Sequence, residues 1–222
     1  MKKRQLAKLG LTLGLVAAVG VGGTMALLTA ETKEVTNTFT VGDGLTAADL
    51  ALDETNIKNP EGARVKENTY ENLTPAMSFV KDPQVRISAK AADCYAFIRV
   101  VGVDDLLEEV ADGKVTGWNQ SWKLLAKESD EATYDGIYYW QPNAEAETGL
   151  KVSQGTEEFA EYVFTGIELG KDAELYKEDG SKKETLPQIY VDACAVQAAG
   201  KNDATAWENA LKELPTDFVV FQ

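Results

Sequence analysis

The chain has 222 residues, with 36 Asp and Glu against 22 Lys and Arg, no histidine and two cysteines. A formal charge of −14 argues against the basic face that grips nucleic-acid phosphates, so no nucleic-acid partner is expected. The missing histidine rules out Ser-His-Asp and Cys-His catalysis and histidine-based zinc sites. What remains is carboxylate chemistry, a calcium or magnesium site, a binding surface or a structural role.

Residues 1–26 read as an export signal. Lys2, Lys3, Arg4 and Lys8 precede an uncharged run from Leu9 to Ala30 that is rich in Leu, Val, Ala and Gly. A basic head, an apolar middle and small residues beyond it are the layout of a secretory signal. Cleavage is expected between Ala26 and Leu27, with Thr24 as the small residue at −3. The alternative is an uncleaved anchor, because the uncharged run is just long enough to span a bilayer. Both readings place the rest of the chain outside the cytoplasm. Cleavage removes four of the 22 basic side chains and none of the 36 acidic ones, leaving 18 against 36, a net −18. Such a surface repels anionic lipid and nucleic acid.

Residues 27–44 read as an N-terminal strand and linker. Val35, Asn37, Phe39 and Val41 share one parity and Thr36, Thr38 and Thr40 the other. That alternation of β-branched and aromatic residues is a strand signal, and Gly42-Asp43-Gly44 ends it.

Residues 45–222 read as one folded domain. Strand-like runs are expected at 78–80, 84–88, 94–103, 134–140, 162–169, 189–198 and 218–221, several bounded by Gly, Pro, Asn or Asp. Helices are expected at 104–111, with acidic residues at its start, and at 203–214, where Ala206, Trp207, Ala210, Leu211 and Leu214 recur at helical spacing before Pro215. The second is expected to cover an edge or end of the sandwich. Residues 56–72 form the most loop-like segment and are expected to be mobile. The fold class is all-β: a jelly-roll β-sandwich with a few short peripheral helices.

No motif for a cofactor or metal stands out. The glycines of the export segment lack the Lys-Ser/Thr of a phosphate loop. The acidic stretch 172–180 does not follow EF-hand spacing. Leu214-Pro215-Thr216-Asp217 lacks the glycine, apolar tail and basic end of a wall-anchoring signal. Cys94 and Cys194 each sit inside a strand-like run. In an exported protein they form either a disulfide, contributing roughly 4–5 kcal/mol through a long loop, or two buried thiols. Trp118, Trp122, Tyr134, Tyr138, Tyr139 and Trp140 make an aromatic-rich centre, either a sugar-stacking platform or core packing, and core packing is favoured. No spacing singles out a carboxylate pair for glycoside hydrolysis.

Two regions together carry a family resemblance. Residues 22–31, Gly-Gly-Thr-Met-Ala-Leu-Leu-Thr-Ala-Glu, and 34–42, Glu-Val-Thr-Asn-Thr-Phe-Thr-Val-Gly, resemble the export segment and mature N-terminus of TasA/camelysin-type proteins. Leu73-Thr74-Pro75, Lys81-Asp82-Pro83-Gln84-Val85 and the 94–100 run, Cys-Tyr-Ala-Phe-Ile-Arg-Val, are similar to the family's turn, Lys-Asp-Pro step and aromatic strand. Ile189-Tyr190-Val191 and Ala195-Val196-Gln197-Ala198 resemble its late strand. Ala76 stands where the family usually has glycine, and its Asn-x-Gly turn is missing.

The resemblance implies a bacterial matrix protein released by a signal peptidase of the SipW type. It implies a jelly-roll subunit that polymerises head to tail with copies of itself, in the extracellular space, at the cell surface or in a biofilm matrix with other matrix components. It further implies that the segment holding Val35, Thr36, Asn37, Thr38, Phe39, Thr40 and Val41 is donated to a neighbouring subunit's sheet. Independently of the family, a strand-grade segment near a freshly cut end suits addition to an open sheet edge. An ordinary first strand pairing within its own domain is the alternative. Relatives described as metalloproteases raise an enzyme reading, which the absence of histidine opposes. The sequence thus leads to a non-enzymatic, cofactor-free structural protein, with a carbohydrate-binding module and a metalloprotease as the other readings.

Overall fold

The computed structural model describes residues 29–31, 44–153, 155, 157–176, 181, 183 and 185–219. In chain order the strands are β1 (Thr29–Glu31), β2 (Leu50–Asp53), β3 (Ser78–Val80), β4 (Gln84–Ile87), β5 (Cys94–Val101), β6 (Lys114–Thr116), β7 (Trp122–Lys127), β8 (Gly136–Trp140), β9 (Phe159–Tyr162), β10 (Gly166–Glu168) and β11 (Tyr190–Gln197). Among the described residues there are three α-helices, α1 (Val103–Glu109) between β5 and β6, and α2 (Asp203–Lys212) and α3 (Thr216–Val219) after β11. The strands form a five-stranded sheet in the order β1-β11-β5-β8-β7 and two three-stranded sheets, β3-β10-β6 and β2-β4-β9. Their pairings are antiparallel. The architecture is mainly antiparallel β-sheet with a few short helices, consistent with an all-β sandwich.

The five-stranded sheet is buried on both faces at its centre, which is why β5 reads as a nearly continuous apolar run rather than a clean alternation. Cys94, Ala96, Ile98 and Val100 face a core shared with Val85, Ile87, Phe164, Ile167 and Leu169 of the three-stranded layer and its connections. Tyr95 and Phe97 face the other way, into a second core beneath α2 and α3. There the Trp207 ring lies 5.2 Å from Tyr95, 5.6 Å from Phe97 and 5.0 Å from Tyr139, centroid to centroid. Helix α2 starts where Asn202 accepts a hydrogen bond from the Thr205 amide, and it buries Ala206, Trp207 and Ala210. It therefore covers a face of the sheet, not the expected edge or end.

The expected strands at 78–80, 84–88, 134–140 and 189–198 are present within a residue or two of their bounds. Others differ for physical reasons. The 94–103 run stops at Val101 because Gly102 takes φ +83°, and a Cβ there would sit 2.1 Å from the Gln188 carbonyl oxygen. The 162–169 run is two strands. Val163, Phe164 and Thr165 carry the chain from one three-stranded sheet to the other, with Val163 and Phe164 fully buried at the crossing. Phe218 and Val219, expected in a strand, lie in α3, where their amides donate to the Pro215 carbonyl. The end of that run is outside the described residues.

Residues 56–72, expected to be mobile, are irregular but tied to the sheets at several points. Glu54 and Val65 exchange both main-chain hydrogen bonds, at 2.7 and 2.8 Å. Arg64 donates to Asp53 and Asp82, and the Tyr70 hydroxyl donates to the Val80 carbonyl at 2.7 Å.

Candidate assembly edge

Strand β11 is small-residue and apolar at its centre, with Ala193 and Ala195 on the interlayer core and Cys194 and Val196 on the core under α2. It pairs along its whole length with β5, from Tyr190↔Val101 to Gln197↔Cys94. On its other side β1 lies antiparallel to it in the register Thr29↔Val196, Ala30↔Ala195, Glu31↔Cys194. β1 also approaches the turn Ala47–Asp49 that precedes β2, so it sits where the two layers meet. The rest of this edge, Tyr190 to Ala193, has no described strand beside it, and Tyr190 is 58% exposed.

The open half of β11 is held in shape from its sheet neighbour. Arg99, opposite Asp192 on β5, donates to that carboxylate through Nε at 3.1 Å and also through a terminal nitrogen. Another nitrogen of the same guanidinium donates to the Asp217 carbonyl at 2.7 Å, and its carbon lies 5.7 Å from the Phe218 ring centroid. One arginine thus joins β5, β11 and α3. A planar guanidinium with several donors suits such a junction where a lysine would not.

The opposite edge of the same sheet is built differently. β7 carries Lys123 and Lys127 and has a register irregularity between Leu124 and Ala126. Lysines and bulges are the usual means of making an edge unfit for pairing with another chain. The sheet therefore has one blunted edge and one edge completed by a short segment far away in sequence.

The sequence-predicted site residues divide as follows. Thr24, Ala26 and Leu27 of the cleavage site lie outside the described residues, as do Val35, Thr36, Asn37, Thr38, Phe39, Thr40 and Val41 of the donor segment. Cys94 and Cys194 are buried and are not joined to each other. They lie on adjacent strands but face opposite cores, and their register partners are Gln197 and Phe97 respectively, so no disulfide can bridge them. The disulfide alternative is thereby corrected. Burial pushes the Cys94 thiol up to about 12, with Asp93 and Asp49 adding to the shift, so it behaves as a small apolar residue.

The aromatic centre fills cores. Trp122, Tyr138, Tyr139 and Trp140 are each at most 8% exposed, and Trp118 packs with Tyr134, Tyr138 and Phe164. A shallow depression lined by Trp140, Leu150, Lys151 and Phe159 opens beside β9. Among the described residues no group of three or more Asp, Glu or Cys is arranged to hold a metal ion.

The carboxylate most clearly displaced in its titration is structural. Asp135, 3% exposed, accepts from the amides of Gly102, Val103 and Asp104, while Asp104 accepts from those of Thr133, Tyr134 and Asp135. Burial raises Asp135 to about 6 and the neighbouring Asp104 charge adds to the shift, against the pull of the three amides. This reciprocal pair fastens the start of α1 to the start of β8. Sequence reasoning missed it, and also missed β1, whose only signal was its place just beyond the expected cleavage point. Comparison of the chain with protein-family models, with curated proteins and with solved structures finds no match.

Proposed function

We propose that this chain is an exported, non-enzymatic structural protein, a jelly-roll subunit of the TasA/camelysin type that assembles head to tail into extracellular fibres. A signal peptidase of the SipW type releases it between Ala26 and Leu27, and its destination is the cell surface or a biofilm matrix shared with other matrix components. The observation that carries the reading is β1. The edge of the main sheet is completed by Thr29–Glu31, which begins at the third residue of the chain so cut.

A segment at a free end, held by three paired residues, can be supplied equally well by a neighbour, because the same main-chain bonds form in either case. The open half of β11, Tyr190 to Ala193, offers the main-chain groups to which a longer donated segment would add. A head-to-tail exchange of this kind does not close on itself and propagates as a filament.

Removal of residues 27–43 from the exported chain tests this. Electron microscopy is expected to show no filaments while near-ultraviolet circular dichroism keeps its native form. Filaments unchanged by the deletion would refute the exchange.

A further inference from the structure

β2 and β3 are each the outer strand of a three-stranded sheet, and residues 55–72 run beside both. The Ser88 amide donates to the Asp49 carbonyl. This fixes the phase of β2: Asp49, Ala51 and Asp53 bond toward β4, and Leu50, Leu52 and Glu54 point their main-chain groups outward. Likewise the Leu169 amide donates to the Met77 carbonyl, so Met77 and Phe79 bond toward β10 and Ser78 and Val80 point outward. Residues 55–72 reach both edges. Val65 takes both main-chain groups of Glu54, and Tyr70 donates to the Val80 carbonyl with its ring 4.6 Å from Phe79.

This segment is locked at its middle by Arg64. Its Nε donates to Asp53 at 2.7 Å, one terminal nitrogen donates to Thr55 and Asp82, and the other donates to the carbonyls of Asp53 and Asp82 at 3.0 and 2.7 Å. The guanidinium also stands 5.5 Å from the Tyr162 ring centroid. Asp82, 8% exposed, accepts in addition from the Thr55 amide and hydroxyl, and Asn68 clasps Thr55 and Ile57 through main-chain bonds. Removing Arg64 would take this donor from two carboxylates and two carbonyls, leaving Asp53 to Arg86 and Asp82 to Thr55, so the covering would lose its strongest side-chain tether.

We propose that residues 55–72 are a strap that shields the outer edges of β2 and β3 from a second copy of this chain, with Arg64 as its lock. Unshielded edges are templates for strand pairing with other chains. Nothing in this assignment depends on export or on N-terminal exchange.

The test compares the exported wild-type chain with Arg64→Ala, at concentrations where the wild type is monomeric by sedimentation. Hydrogen exchange at Glu54 and Val65 is expected to quicken by about tenfold or more. The variant is expected to self-associate, and the associated form to protect the amides of Leu52, Ser78 and Val80. Quickened exchange with no association, unchanged exchange, or association that protects residues 190–193 instead would each overturn the proposal. Should Arg64→Ala fail to fold, Val65→Pro decides, since it removes the amide that reaches Glu54 and leaves the charge cluster intact. The same association and the same protected amides are expected, and a monomeric Val65→Pro would refute the strap.

Discussion

At the β11 edge the described cover is three residues of β1 paired through the main chain, whereas at the β2 and β3 edges the strap adds an arginine that makes five hydrogen bonds. An ordinary main-chain hydrogen bond contributes about 0.5–1.5 kcal/mol net, and one to a charged group about 1.5–3 kcal/mol. In the exchange proposed above, the first cover is the one that leaves and is replaced, and the second is the one that stays. The difference teaches where a sheet protein can admit another copy of itself. An exchangeable edge needs a weakly held segment at a free end. An edge that must stay closed needs an internal segment, tethered at both ends and locked by charge.

The largest way to break this comparison is Asp82→Ala. It strips the strap lock of the carboxylate that holds both Arg64 and Thr55, and it is expected to lower unfolding free energy by about 3 kcal/mol in urea. A loss below about 0.5 kcal/mol would put the strap on the same weak footing as β1. A second probe uses pH on the main-sheet side. Asp135 is raised to about 6 in the fold, above its ordinary value, so its contribution is fully present below about pH 4 and is lost as pH rises through about 6. The stability advantage of wild type over Asp135→Asn should shrink by on the order of 2 kcal/mol between those limits. A gap that is flat with pH would mean the carboxylate is not displaced. The smallest stability change is expected from removing residues 27–43: about 1 kcal/mol or less, together with the complete loss of filaments. A loss as large as that of Asp82→Ala would show that β1 is a fixed part of the fold, not an exchangeable one.

Legibility from sequence followed burial. Strands β3, β4, β8 and β11 carried β-branched and aromatic runs with turn residues at their ends, and they fall close to where those signals place them. β7, Trp-Lys-Leu-Leu-Ala-Lys, has no period-two pattern, because after Trp122 its side chains are half-buried or exposed. β2 is four residues ending in an aspartate that belongs to the Arg64 cluster, so its charge hid its role. Phe218 and Val219 looked strand-like by composition, but Pro215 with Thr216 and Asp217 starts a short helix, and Phe218 fills the core under α2. The loop-like composition of 56–72 was read as mobility. The missing signal was long-range: Asp53, Asp82 and Arg64 come together only when β2 and the start of β4 are already paired. The disulfide question turned on parity. One hundred residues of separation say nothing about which face a strand residue takes, and only the β5–β11 register shows the two thiols on opposite sides.

The most direct test of N-terminal exchange uses the native thiol opposite β1. Glu31 pairs with Cys194, so Glu31→Cys places a second thiol across the ladder, while Cys94 faces the other core. The variant is oxidised under conditions in which filaments form and is then run on a non-reducing gel. Exchange between copies predicts a ladder of covalent oligomers that collapses to monomer on reduction. Internally cross-linked monomer alone, from material that is filamentous by electron microscopy, would contradict it.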